Sequence, residues 1–407
     1  MLKNFFKTAF RNVIKYKAYS FINFVGLTCG LALALLVLAY VRNETSYDQF
    51  HTKADRLYRF GYTVSNGMQI ASVPPPIAPP LKDFYPEVEE VARVYGRNVS
   101  ISVPGSTEAF EETNVMFADS AITHMFSFDF VKGNPERALY DKFTVVINEE
   151  MATKYFGDKN PIGETLIFSG RQSFKVIAVV KNFPENSHIR FNMLVPYDDM
   201  FDLEDEKTEQ VLRANLAQNF SISHSYTYVL LKEGTNPDHI NSTMPEFLKK
   251  NANPKALVGQ TFTLMPMLDI HLKSTYQGEP TPVNSMTNIY IFIAVGILTL
   301  LIAAINYVNL STAQSLTRMK EIGLRKILGS LKSQLILQFL AESFVFCCFA
   351  LLMAYAVFYM ALPQLNVFTG KNLIFADVLD HRLILFSIGL LVILTVLAGA
   401  YPAYFVT

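Results

Sequence analysis

The chain has 407 residues, 51% hydrophobic and only 17% charged, with 35 basic and 35 acidic side chains and a formal net charge of zero. A water-soluble chain carries about a quarter charged residues, so part of this one belongs in lipid. Four apolar runs, residues 21–41, 289–308, 343–362 and 383–406, each supply the roughly 20 residues a helix needs to cross a bilayer.

Ahead of the first run, Leu2, Phe5, Phe6, Ala9, Phe10, Val13 and Ile14 recur at helical spacing, with Lys3, Lys7, Arg11 and Lys15 opposite. That pattern predicts a basic amphipathic helix over residues 1–18, lying in the membrane interface. The apolar run that follows exceeds the ~7–15 residues of a secretory signal core, and no small-x-small cleavage pattern precedes Arg42 and Glu44. An uncleaved membrane helix is expected over residues 19–41. Within it Gly26, Gly30 and Ala34 repeat every four residues, giving a flat face on which a second helix packs closely.

Residues 42–287 follow as a large polar segment. The whole chain has 35 basic and 35 acidic groups, of which 12 and 4 lie elsewhere, so the segment holds 23 and 31 and a net charge of −8. Nucleic acid is therefore not its partner, because phosphate recognition needs a basic face. The stretches "RLYRFGYTV", "FTVVIN", "FKVIAVV" and "SYTYVLLK" read as strands, and "NEEMATKYFG" and "PDHINSTMPEFLKKN" as helices. This is a mixed α+β domain without visible internal repeats. All three cysteines, Cys29, Cys347 and Cys348, fall in apolar runs, so the domain has no disulfide and no thiolate metal site.

Catalytic chemistry leaves little trace. Seven histidines are scattered without metal-ligand spacing. His188 in "ENSHIRFN" and His271 in "DIHLKS" are the most distinctive, and a lone histidine beside a strand is most often a hydrogen-bonded structural group. Gly157 and Gly163 in "GDKNPIGE" lack the phosphate-loop spacing and its Lys-Ser or Lys-Thr. No enzyme activity, cofactor or metal is expected.

The remaining apolar runs predict membrane helices over 288–310, 335–362 and 383–407, with a loop at 311–334 and a shorter one at 363–382. The 311–334 loop carries Arg318, Lys320, Arg325, Lys326 and Lys332 against Glu321 alone, and the 363–382 loop is balanced. By the positive-inside rule the N-terminus and the 311–334 loop face the cytoplasm, and residues 42–287 face outward. Glu342, near the third run, sits at headgroup level within reach of Arg325 or Lys326. In "RMKEIGLRKILGS", residues 318–330, apolar and charged groups alternate at helical spacing around Gly323. A short helix of that kind can dock in a groove on a cytoplasmic partner; the residues equally admit a loop that is basic only because of its side of the membrane.

"RMKEIGLRKILGS" resembles the signature of MacB/FtsX-type ABC transporter permeases. "NFVGLTCGLA" in the first helix, "INYVNLSTAQS" after the second, "QFLAES" at the third and "AGAYPAY" in the fourth extend the likeness. "FTVVINEEMATKYFGDKNPIGETL" and "FKVIAVVKNFPENSHIRFNMLVP" are similar to the MacB-like periplasmic core domain. The resemblance implies four transmembrane α-helices plus a large α+β extracytoplasmic domain inserted between helices 1 and 2, in a bacterial inner membrane. It implies that Arg318, Lys320, Glu321, Ile322, Gly323, Leu324, Arg325, Lys326 and Gly329 form a coupling helix to an ABC ATPase subunit. ATP hydrolysis would then reside in that separate subunit and serve extracytoplasmic export or mechanotransmission. Related Bacteroidetes-like permeases contain two such halves, so a homodimer, or a pseudo-dimer with a second permease half, is expected, this chain being the N-terminal half. The residues by themselves also admit a membrane-anchored extracytoplasmic sensor or scaffold without an ATPase.

Overall fold

The computed structural model describes residues 17–252, 259–317, 319, 324, 327 and 331–406. The interfacial helix expected at the N-terminus falls on residues 1–18, of which 1–16 lie outside the described residues. The chain divides into two compact units, Ser46–Ser285 and the residues on either side of it. In chain order, helix α1 (Lys17–Thr45) comes first. The inserted unit holds α2 (Glu149–Phe156), α3 (Glu206–Gln218), α4 (Pro237–Asn251) and α5 (Met267–Lys273). Three long helices follow, α6 (Met286–Thr317), α7 (Lys332–Thr369) and α8 (His381–Val406).

In the first unit α1, α6, α7 and α8 each contain a window long and apolar enough to span a bilayer. A helix satisfies its own backbone hydrogen bonds, which is the requirement for crossing lipid. Leu27, Leu31 and Leu35 of α1 meet Ala304 and Tyr307 of α6, Cys347, Ala350, Ala354 and Phe358 of α7, and Leu390, Leu394 and Ala398 of α8 in one core. Leu298, Ile302, Leu352, Met360, Leu385 and Val392 remain exposed on the outside of the bundle, as lipid-facing side chains are. α1 is the most enclosed of the four, with 56% of its apolar window buried against 22% for α6.

α7 runs further than the sequence suggests. It continues beyond residue 362 through Pro363 and ends only at Gly370, whose φ of +66° supplies the left-handed stop. Residues 363–369 therefore belong to the helix and not to the expected loop. Asn366 closes the following turn, its side chain donating to the Leu373 carbonyl at 3.0 Å and accepting from the Leu373 N–H at 2.9 Å.

The second unit is built on strands β1 (Leu57–Thr63), β2 (Gln69–Ile70), β3 (Val88–Ser102), β4 (Phe110–Ala118), β5 (Phe130–Gly133), β6 (Thr144–Asn148), β7 (Thr165–Phe168), β8 (Gln172–Val180), β9 (Met193–Pro196), β10 (Tyr226–Leu231) and β11 (Thr261–Pro266). They form one 11-stranded mixed sheet in the order β11-β1-β10-β3-β4-β9-β6-β8-β5, with β2 on β1 and β7 joining β3 to β8. The pairs β4–β9 and β6–β8 are parallel.

Side chains alternate across a strand, so each strand contributes to two cores. Met116, Ala118, Val146, Leu194, Tyr228 and Leu230 point to one face. Val115, Phe117, Val145, Ile147, Met193 and Val195 point to the other. Burial on both faces explains the uninterrupted apolar run "VVI" of β6. At the far end Phe60, Tyr62, Val229 and Leu231 pack under Ile240, Met244 and Phe247 of α4. Local chemistry sets the helix starts: the Asn148 side chain accepts from the Met151 N–H, Asp205 from Thr208, and Asn236 from Asp238.

Candidate functional site

Among the residues expected to contact an ATPase, only Leu324 is described, and the neighbouring Met319 and Ile327 with it. Arg318, Lys320, Glu321, Ile322, Gly323, Arg325, Lys326 and Gly329 lie outside the described residues. Met319, Leu324 and Ile327 are helical and 52%, 60% and 84% exposed. They come after the apolar window of α6, which ends at Ala313. The side chain of Glu342 accepts a hydrogen bond from Gln338 at 2.9 Å. The pairing expected for it with Arg325 or Lys326 falls outside the described residues.

The small residues of α1 differ in what they meet. A Cβ placed on Gly30 would lie 2.7 Å from the Cβ of Ala303, so here α1 and α6 approach through a glycine. Two turns away the roles reverse: a Cβ placed on Gly296 of α6 would lie only 3.2 Å from a methyl of Val37 on α1. Ala34 is buried in the bundle core. Gly26 faces open space.

Two ion pairs close the end of this bundle. Arg42 lies 2.7 Å from Asp380, and Lys371 lies 2.8 Å from Glu44. Both cross from the last turn of α1 to the segment joining α7 and α8. Backbone N–H groups and Arg42 hold the Asp380 carboxyl below the usual carboxylate range.

Within the inserted domain the chemically unusual groups are buried polar ones. Arg59 of β1 is fully buried and grips Glu279 through both terminal guanidinium nitrogens, Nη2 donating at 2.6 Å. Ser274 also donates to that carboxylate. Asp48 adopts a φ of +59° and is fully buried beside His188, whose Nδ1 lies 2.8 Å away. The other ring nitrogen of His188 is 3.1 Å from the Tyr228 hydroxyl. Burial by itself would raise the Asp48 carboxyl, but His188 beside it brings it below the ordinary range. Burial pushes the nearby His51 down to about 4, with Asp48 opposing. Asp199 accepts from the Phe143 N–H at 2.7 Å, and burial pushes its carboxyl up to about 6.

These groups are sealed from solvent, and among the described residues no three His, Cys, Asp or Glu side chains converge as a metal site. His188 stood out in the sequence, whereas Asp48, Glu279, Glu44 and Lys371 did not. The one local signal for Arg59 was a charge inside an otherwise apolar strand pattern.

The architecture defines a polytopic membrane protein with a large α+β domain inserted after its first helix. Residues 20–246 match the MacB-like periplasmic core domain and residues 293–407 the FtsX-like permease C-terminal domain. The chain belongs to the MacB/FtsX-type ABC transporter permeases. It is 25% identical over 314 residues to the macrolide export ATP-binding/permease protein MacB of Bdellovibrio bacteriovorus, a match over 75% of this chain and 42% of that one. It thus spans less than half the length of this curated relative. The inserted domain is similar to a solved domain of a permease protein from Porphyromonas gingivalis, at 21% identity and a TM-score of 0.45, covering 53% of this chain and 91% of that one. It is also similar to the periplasmic region of MacB from Actinobacillus actinomycetemcomitans, at 15% identity and a TM-score of 0.38, covering 53% and 90%.

Proposed function

We propose that the chain is the permease subunit through which a partner ABC ATPase drives extracytoplasmic export or a mechanical signal. The 318–330 loop is the coupling element, and Glu321, Arg325 and their neighbours fix the register of docking. The exposure of three apolar side chains, Met319, Leu324 and Ile327, beyond the apolar window of α6 carries this reading. Apolar anchors flanked by charges are the composition of a helix that docks in a groove. The N-terminus and this loop lie on the cytoplasmic side of a bacterial inner membrane, the inserted domain lies outside, and a second permease half or second copy completes the unit.

Work done on the loop reaches the exterior through α6 and α7, which flank it. α1 packs on α6, so a shift of one displaces the other. Replacing Glu321 and Arg325 together should leave membrane insertion intact and abolish retention of the ATPase subunit; unchanged co-purification with the double variant would overturn the assignment. For topology, a cysteine at Val211 should react with an impermeant maleimide in spheroplasts and one at Ile327 should not. The reverse pattern would invert the scheme.

A further inference from the structure

Asn186, Ser187 and His188 form a turn with no catalytic access that gathers unusually many bonds from distant segments. The Asn186 side chain donates to the Ser46 carbonyl and hydroxyl at 3.0 and 2.9 Å, and the Asn186 main-chain carbonyl accepts from the Asp48 N–H at 2.8 Å. Asp48 Oδ1 accepts from the Ser187 hydroxyl at 3.2 Å and from the His188 N–H at 3.0 Å. These bonds seize the first residues after α1. On the outgoing side, the Thr281 hydroxyl donates to the His188 carbonyl at 3.4 Å, five residues ahead of α6. A second tie joins the same two segments: the ring of Tyr47 stacks on that of His271 with centroids 3.4 Å apart, and the Asn284 N–H donates to the His271 carbonyl at 2.8 Å. The His188 imidazole then reaches the sheet through Tyr228 of β10.

We infer that the 186–188 turn is a joint that binds the segment leaving α1, the segment entering α6 and the sheet into one body, with Asp48 and His188 as its positioning residues. This rests on the proposed function, for which it names the place where motion of the two membrane helices enters the exterior domain. Three features distinguish a joint from ordinary packing. Asp48, Ser187, His188 and Tyr228 are all fully or almost fully buried, where apolar side chains would be cheaper. Asp48 holds a left-handed backbone, a conformation kept only where the surroundings over-determine it. The bonds are directional, so they resist shear between the segments as dispersion contacts do not. His188 Nδ1 lies 2.8 Å from Asp48 Oδ2 and Nε2 3.1 Å from the Tyr228 hydroxyl, so one ring position serves both sides.

The test uses the full chain in lipid nanodiscs and hydrogen exchange followed by mass spectrometry. In Asp48→Asn, exchange should rise roughly tenfold or more, together, in peptides covering 46–52, 186–189 and 281–285, while β6 and β8 stay protected. His188→Asn retains a donor near the Nδ1 position and should keep 46–52 protected while releasing the contact to β10. A rise confined to 46–52, or one that spreads through β6 and β8, would overturn the joint. In a second arm the ATPase subunit that co-purifies is added with a non-hydrolysable ATP analogue. The wild type should then change its exchange in 46–52 and 281–285 in concert, and Asp48→Asn should bind the subunit but lose that response. A response retained in Asp48→Asn would refute transmission through the joint. Failure of any ATPase to bind the wild type would instead refute the proposed function, and the first arm would still decide whether the three segments move as one.

Discussion

Removing the Glu279 carboxylate strips the buried Arg59 guanidinium of its counter-charge. The Arg59 side chain is 0% exposed and that of Glu279 5%, and two parallel N–H···O bonds join them. Breaking such a pair from one side leaves a charge in a site that water does not reach, a loss of about 3–5 kcal/mol. A domain of ordinary stability, about 5–15 kcal/mol, would lose a third or more of its margin. Replacing both partners with apolar side chains of similar volume, as in Arg59→Met with Glu279→Leu, removes the uncompensated charge as well as the pair. The double variant should therefore lie within about 1–2 kcal/mol of wild type. The cores of the inserted domain draw on residues between Ala54 and Ile270, so residues 46–285 can be unfolded by themselves. The chain has no tryptophan, so urea unfolding is followed by far-ultraviolet circular dichroism, and ΔG is compared at constant m. If Glu279→Ala costs under about 1 kcal/mol, or the double variant loses the sum of its singles, the pair is not the buried lock described.

Other perturbations address other parts of the chain. Lys371→Glu should lower the melting temperature of the detergent-solubilised chain, and adding Glu44→Lys should restore much of it; no recovery would mean that the 2.8 Å pair is incidental. Asp199→Asn should stabilise the domain above pH 7 by up to about 3 kcal/mol and give no advantage at pH 3.5. The sign follows from a folded value raised to about 6 from 3.8: the native state keeps the proton, so stability is full below 3.8 and lost as pH rises through 6. Equal urea midpoints across that range would refute it. Gly30→Leu should disrupt the bundle, with Gly30→Ala partly rescued by Ala303→Gly, whereas Gly26→Leu should be tolerated because nothing lies within 4 Å of its Cβ position. Size-exclusion profiles and melting temperatures in detergent separate these outcomes.

What the sequence made legible was what local pattern specifies. The four membrane helices are apolar all round and needed no partner to be recognised. β6 and β8 were legible because burial on both faces demands β-branched residues in a row, and α2 and α4 because their caps are encoded beside them. β3 was hidden: Glu89, Arg93 and Arg97 interrupt its alternation. Their charges are met by Arg56 at 2.7 Å, Asp119 at 2.8 Å and Glu204 at 2.8 Å, partners supplied by other elements. The same distance in sequence hid the polar frame, since Asp48 and His188 stand 140 residues apart and Arg59 and Glu279 stand 220 apart. The end of α7 lies beyond the apolar run that marks residue 362, because the helix accommodates Pro363 and stops only at the left-handed Gly370.

The measurement closest to the centre of this account is photo-crosslinking from Ile327, 84% exposed and beside the charged residues of the loop. A benzophenone amino acid at this position, in native membranes, should give an adduct whose partner peptides come from an ABC ATPase. The adduct should disappear in the Glu321 and Arg325 double variant. Crosslinks from Ile327 to lipid alone, or to a cytoplasmic protein that binds no nucleotide, would contradict it.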